Sequence, residues 1–227
     1  MKQRLEQIRE RIRKACESCS RHTDSVRLVA VSKTIPAETV REAIEAGVTI
    51  LGENYVQEAR EKFNALVQYP VSWHFIGHLQ SNKAKYAVRL FDLIHSVDSF
   101  KLARELDKQA KKVDKIQQIL LQVNISGEDT KSGISADEAP GLISEISRLE
   151  NLSIRGLMTM PPYFYQPEKV KPFFAALREL QDQIKQQSLP NVSLEELSMG
   201  MTGDFEVAIE EGATLVRIGT AIFGERK

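Results

Sequence analysis

The sequence predicts an α/β protein: a single TIM-type (β/α)8 barrel with an extra helix at its N-terminus. Three observations predict it. Eight short apolar stretches, most of them rich in Val, Ile and Leu, alternate with helical patterns, the last helix being short or absent. No linker or composition shift divides the 227 residues, and one such barrel takes about 250 residues. The rival architecture, an open doubly wound sheet, would carry G-x-G-x-x-G after its first strand, and none is there.

The elements follow in order. Residues 2–19 read as the opening helix, with Leu5, Ile8, Ile12 and Ala15 on one face and Arg and Glu on the other. Cys16 and Cys19 fall on the apolar register, so this lone C-x-x-C reads as helix-face thiols. No strand precedes it as in a thioredoxin, and no second pair completes a zinc site. Strand one covers 28–33, and Pro36 opens a helix carrying Val40, Ala43 and Ile44, with Gly47 just past its end. Strand two covers 49–54 and its helix runs to about Leu66. Strand three covers 73–78, ahead of a basic helix with Lys83, Lys85 and Arg89. Strand four covers 93–97, and Asp98 or Ser99 caps the helix of Leu102, Ala103 and Leu106. Strand five, 119–124, leads into the longest polar loop, 127–133, a candidate for movement. Ser135 and Glu138 then form a capping box for a helix with Leu142, Ile143, Ile146 and Leu149. Strand six covers 154–160 and stops at Pro161-Pro162, and its helix runs from about Val170 to Gln187. Strand seven covers 194–199, with a helix from Thr202 to Glu211, and strand eight covers 214–218. The joints at 45–50 and 211–215 look alike: a helix ends, a glycine caps it, and a threonine starts a strand.

Lysine plus arginine equals aspartate plus glutamate, 31 each, which excludes bulk attraction to nucleic acid or an anionic membrane. There is no apolar run long enough to span a bilayer and no signal-peptide pattern, so the expected compartment is the cytoplasm. His74 and His78 lie four apart on a strand without H-E-x-x-H, so no metal is expected. The polar rim shows no large apolar patch, which predicts a monomer.

The chemistry gathers at the strand ends, where parallel barrels place their ligands. Lys33 ends strand one. Held neutral, its amine can form a Schiff base with a carbonyl, while a plain snorkelling lysine is the other reading. Asn54 ends strand two, as a ligand contact or as a helix cap. His78 ends strand three and could line a pocket. Ser198-Met199-Gly200-Met201-Thr202-Gly203, with a helix opening at Thr202, offers hydroxyls and backbone N–H groups to a phosphate, and Gly219-Thr220 offers the same from the next position. Arg217 sits inside an apolar strand near the rim and needs an acceptor, either an ion-pair partner or a cofactor ring nitrogen. A lysine, a phosphate site and an arginine between them would fit pyridoxal 5'-phosphate (PLP).

Ala-Val-Ser-Lys33-Thr, Leu-Gly-Glu-Asn54, His-Phe-Ile-Gly-His78-Leu-Gln, Leu-Ser198-Met-Gly-Met-Thr202 and Val-Arg217-Ile-Gly219-Thr220-Ala-Ile-Phe-Gly-Glu-Arg together resemble the pyridoxal phosphate homeostasis proteins, over essentially the whole chain. More distantly they resemble the barrel domain of alanine racemase. The resemblance implies that Lys33 holds PLP as a Schiff base and that Arg217 faces the pyridine nitrogen. It implies that Ser198, Thr202, Gly219 and Thr220, with the backbone at Gly200 and Met201, hold the phosphate. Asn54, His78 and Met158 are carried over as pocket wall. It further implies a single PLP-binding domain over 1–227 that buffers or delivers PLP, without robust catalysis, through transient contacts with PLP-accepting enzymes. The alternatives are a PLP-dependent amino acid racemase and a Schiff-base aldolase without cofactor. A two-base racemase needs a second base opposite the lysine. In alanine racemases that base is a tyrosine outside the barrel domain, and a second, β-rich domain completes the site. Here the sequence stops at Lys227 soon after strand eight, so that domain is expected to be missing, and Tyr163 and Tyr165 are expected to cover the barrel edge.

Overall fold

Strands that are apolar on both faces need a covering layer on each side, and closure into a barrel supplies one of them from the strands themselves. The computed structural model describes residues 1–128, 130–162 and 164–224. Its elements run α1 Lys2–Ser18, β1 Arg27–Val31, α2 Ala37–Glu45, β2 Ile50–Glu53, α3 Val56–Ala65, β3 Ser72–Phe75, α4 Ala84–Leu90 and β4 Leu93–Val97. They continue α5 Phe100–Lys111, β5 Gln117–Asn124, β6 Ile134–Ser135, α6 Ala139–Ile146, β7 Leu152–Met158, α7 Lys171–Lys185, β8 Val192–Ser198, α8 Phe205–Glu210, β9 Leu215–Ile218 and α9 Thr220–Phe223. Eight strands close a ring, β1-β2-β3-β4-β5-β7-β8-β9, with β9 pairing back onto β1. Each pairing is parallel. This is the TIM-type barrel that the strand–helix alternation predicts.

The core has two parts. Inside the ring, Val29, Ile50, Leu93, Leu120, Met158 and Leu215 form one buried apolar cluster. Outside it, helix faces such as Val40 and Ala43 of α2 or Leu102 and Leu106 of α5 pack on the strands. The two look-alike joints share one geometry. Gly47 (φ 103°) and Gly212 (φ 101°) are both left-handed. Their N–H groups bond Ile44 and Ile209, and the following N–H groups of Val48 and Ala213 bond Ala43 and Ala208. That is a Schellman closure, which favours glycine.

Some boundaries differ from the sequence reading, each for a local reason. β1 stops at Val31, so Ser32 and Lys33 lie in the loop beyond it. β3 stops at Phe75, and His78 lies beyond the strand. α8 begins at Phe205 rather than Thr202, because residues 201–204 make a turn in which the Met201 carbonyl accepts from both Asp204 and Phe205. Ser99, not Asp98, caps α5, accepting from the Leu102 N–H at 3.4 Å. The capping box forms in altered shape: Ser135 belongs to the short β6, its Oγ accepts the Glu138 N–H at 3.4 Å, and α6 starts only at Ala139. β6 itself is an unexpected strand, formed where the polar loop returns onto the end of β5. Within that loop Asp129 lies outside the described residues. Among the described residues no helix is long and apolar enough to cross a membrane.

Candidate functional site at the C-terminal rim

The C-terminal ends of β1, β2, β3, β7, β8 and β9 and the loops after them converge on a cavity of about 170 Å3. Lys33, Asn54, Met201, Thr202, Arg217, Gly219 and Thr220 line it, joined by Val31, Ile76 and Met160. None of these lining residues is a carboxylate, and two of them, Lys33 and Arg217, are basic. The Thr202 and Thr220 hydroxyls meet at 3.4 Å across the β8 and β9 loops.

Arg217 reaches this cavity from inside the barrel. It is 4% exposed. Its Nη1 donates to Ser198 Oγ at 2.6 Å and its Nη2 to the Thr159 carbonyl at 2.9 Å. Burial pulls its pKa down to about 10, against the pull of the Asp204 carboxylate, so it is still a cation at neutral pH. Below it the chain continues: Ser198 Oγ lies 2.8 Å from His95 Nδ1, and His95 Nε2 lies 2.9 Å from His74 Nδ1. Burial holds His74 at about 4 and His95 well below the usual imidazole range, so both rings are neutral.

The structure places several of the sequence-assigned residues away from the cavity wall or in other roles. Ser198 is fully buried, with its hydroxyl between Arg217 and His95, so it supports the arginine instead of lining the cavity. Met158 is fully buried in the cluster inside the ring, and Met160, two residues on, takes its place at the cavity wall. His78 is exposed and lines the neighbouring cleft, which shares Asn54 with the cavity. Asn54 does not cap α3, whose N-cap is Tyr55, and its buried Oδ1 has no hydrogen-bond partner. The Met201 N–H donates to Asp204 Oδ1 at 2.6 Å, and the Gly200 carbonyl accepts the Arg217 N–H at 3.0 Å. The Met201 donor is therefore already used within the chain. Tyr163 lies outside the described residues, as do Glu225 and Arg226 of the last motif. Tyr165 is 94% exposed.

Comparison with known proteins bears on this geometry. The family model for the alanine racemase N-terminal domain matches residues 4–227. A pyridoxal phosphate homeostasis protein of Aquifex aeolicus is 48% identical over 99% of this chain and 98% of its own length. The chain belongs to the pyridoxal phosphate homeostasis protein family. A solved structure of PipY from Synechococcus elongatus with PLP bound is 40% identical, covers 94% of this chain and all of that one, and superposes with a TM-score of 0.83. Alanine racemase of Clostridium difficile shares the fold at 13% identity and a TM-score of 0.71, over 96% of this chain and 56% of the racemase.

In this member of the homeostasis protein family, two features of the sequence point to residues around the site beyond those named above. His95 sits in the middle of an apolar strand, as Arg217 does, which marks each as a buried polar residue in need of a partner. The alternation along β7 also puts Met158 and Met160 on the same face, one layer apart.

Proposed function

We propose that this chain is a PLP-binding barrel domain of the cytoplasm that holds the cofactor reversibly on Lys33 and buffers or delivers it, without robust catalysis of its own. The observation that carries this reading is the joining of Lys33, Arg217 and the Thr202–Thr220 hydroxyl pair around one cavity that no carboxylate lines. Such a donor set suits a phosphorylated, anionic ligand with a carbonyl group. The unpartnered Asn54 Oδ1 leaves an acceptor for a ligand hydroxyl. PLP, when bound, supplies an aldehyde that condenses with an amine and a phosphate that accepts hydrogen bonds. Lys33 provides the amine. Thr202, Thr220 and the backbone at Gly219 hold the phosphate. Arg217 can donate but not accept, so a pyridine nitrogen facing it stays unprotonated and the ring is a weak electron sink. Lys33 and Arg217 are the ionisable groups among the described lining residues, so a second base opposite the lysine has no candidate there. The same reading takes the chain to be a monomer that meets PLP-accepting enzymes transiently.

The test is the visible absorbance of the purified protein mixed with PLP, before and after borohydride reduction, followed by a peptide map. The expected result is a visible band that becomes fixed on Lys33, is absent in Lys33→Ala, and persists with faster cofactor loss in Thr220→Ala. A band that survives unchanged in Lys33→Ala contradicts the attachment. Racemisation of any amino acid at an enzyme's rate contradicts the non-catalytic role.

A further inference from the structure

The residues on either side of Lys33 are tied to one buried charge cluster. Lys62 of α3 is 5% exposed, and its ammonium has three protons to give. It donates to the Ser32 carbonyl, to Glu53 Oε1 at 2.7 Å and to Glu58 Oε1 at 2.7 Å. The fully buried Glu53 also accepts the Ser32 hydroxyl at 2.7 Å. Glu58 accepts the Thr34 N–H. Ser32 and Thr34 are thus held by carboxylates that share one lysine. Thr34 sits at φ 63°, a conformation that a β-branched residue keeps only where its surroundings impose it. Neither Lys62 nor either glutamate lines the rim cavity.

We infer that Lys62, with Glu53 and Glu58, is a positioning residue for Lys33. The cluster fixes the main chain before and after Lys33, so the amine enters the cavity from one place and attacks the aldehyde of PLP quickly. That step forms a C=N bond and releases one water. The inference rests on the attachment of PLP to Lys33 proposed above.

The experiment compares the full-length wild type with Lys62→Met and Glu58→Ala, each offered PLP and, separately, pyridoxine 5'-phosphate, which carries an alcohol in place of the aldehyde. Stopped-flow absorbance reads the rate of band formation, and a binding titration reads the pyridoxine phosphate affinity. The expected result is band formation slowed by about 10-fold or more in both variants, with pyridoxine phosphate affinity held within about twofold. Glu58 is half-buried, so its variant decides the matter if Lys62→Met does not fold. An unchanged rate in Glu58→Ala overturns the inference. So does an equal loss for both ligands, which marks the cluster as support for the fold alone. A wild type that forms no band overturns the attachment to Lys33, and this inference with it.

Discussion

Arg217 has only hydrogen-bond donors, and it heads a line of four hydrogen-bonded side chains inside the barrel. Ser198 Oγ accepts from the guanidinium and lies 2.8 Å from His95 Nδ1. A neutral His95 donates from one ring nitrogen and accepts at the other, so it links Ser198 to His74 whichever nitrogen carries the proton. Burial makes both rings depend on staying neutral. With a folded pKa of about 4 for His74 and about 6.5 for an unfolded histidine, the unfolded chain binds a proton between those values that the folded chain refuses. The contribution is complete above pH 6.5 and is lost as pH falls toward 4, amounting to roughly 3 kcal/mol at the acid end. Burial raises the carboxyls of Glu53, Asp98 and Asp204, and such groups act with the opposite sign, favouring the fold as pH falls. The informative quantity is therefore the difference between wild type and His74→Gln in urea unfolding at several pH values. It is expected to shift in favour of the variant as pH drops from 6.5, and a flat difference would mean that His74 is not held neutral. Arg217 was legible as an anomaly from sequence because a charge interrupts an apolar run. Its partners were not, since Ser198 and His95 are 103 residues apart and only barrel closure brings them together.

Strands and helices were legible wherever one rule decided them. The glycine-capped helix ends after α2 and α8 and the apolar span of β4 are examples. Legibility failed where a neighbouring strand imposed the conformation. β8 pairs Val192 with Ile154 and Glu196 with Gly156, so four residues of β8 run beside two of β7 and Leu194 turns left-handed at φ 44°. Sequence placed the start of this strand at Leu194, inside that irregularity. The one available clue was Gly156, since glycine inside a strand marks a bulge or a close backbone approach. Gly156 shows both: it borders the irregularity, and a Cβ there would lie 1.9 Å from the Glu196 carbonyl oxygen. Backbone cannot step aside as a flexible side chain can. Gly156→Ala is expected to lower unfolding stability by about 1–3 kcal/mol or more, read as a fall in the urea midpoint. Because β8 ends at Ser198, the substitution is also expected to weaken PLP retention, and a variant with wild-type stability would show that the two strands part at little cost.

At the level of the whole molecule, α1 is the element that the eightfold repeat does not require, and its packing explains its presence. Leu5, Ile8, Ile12, Ala15 and Cys16 are buried. Arg11 pairs with Glu206 at 2.6 Å and lies over the Phe205 ring, both on α8. Arg4 donates to the Ile222 carbonyl of α9, and Arg21, just past α1, donates to the carbonyls of Ile209 and Ala213 at the far end of α8. α8 follows the loop of Met201–Thr202, and α9 begins at Thr220 with Gly219 as its N-cap, so α1 braces the two cavity walls assigned to the phosphate. Both helices are short, six and four residues, and such helices depend on tertiary packing for their stability. Ile8→Ala removes buried methyl groups 2% exposed from this brace and is expected to cost about 2–5 kcal/mol of unfolding free energy. The damage should fall unevenly. Lys33 belongs to the β1 loop and its buried cluster, so the rate of visible-band formation should hold, while PLP is released faster on dilution because the phosphate walls loosen. If release stays at the wild-type rate while stability drops by the expected amount, α1 secures the barrel without bracing the site.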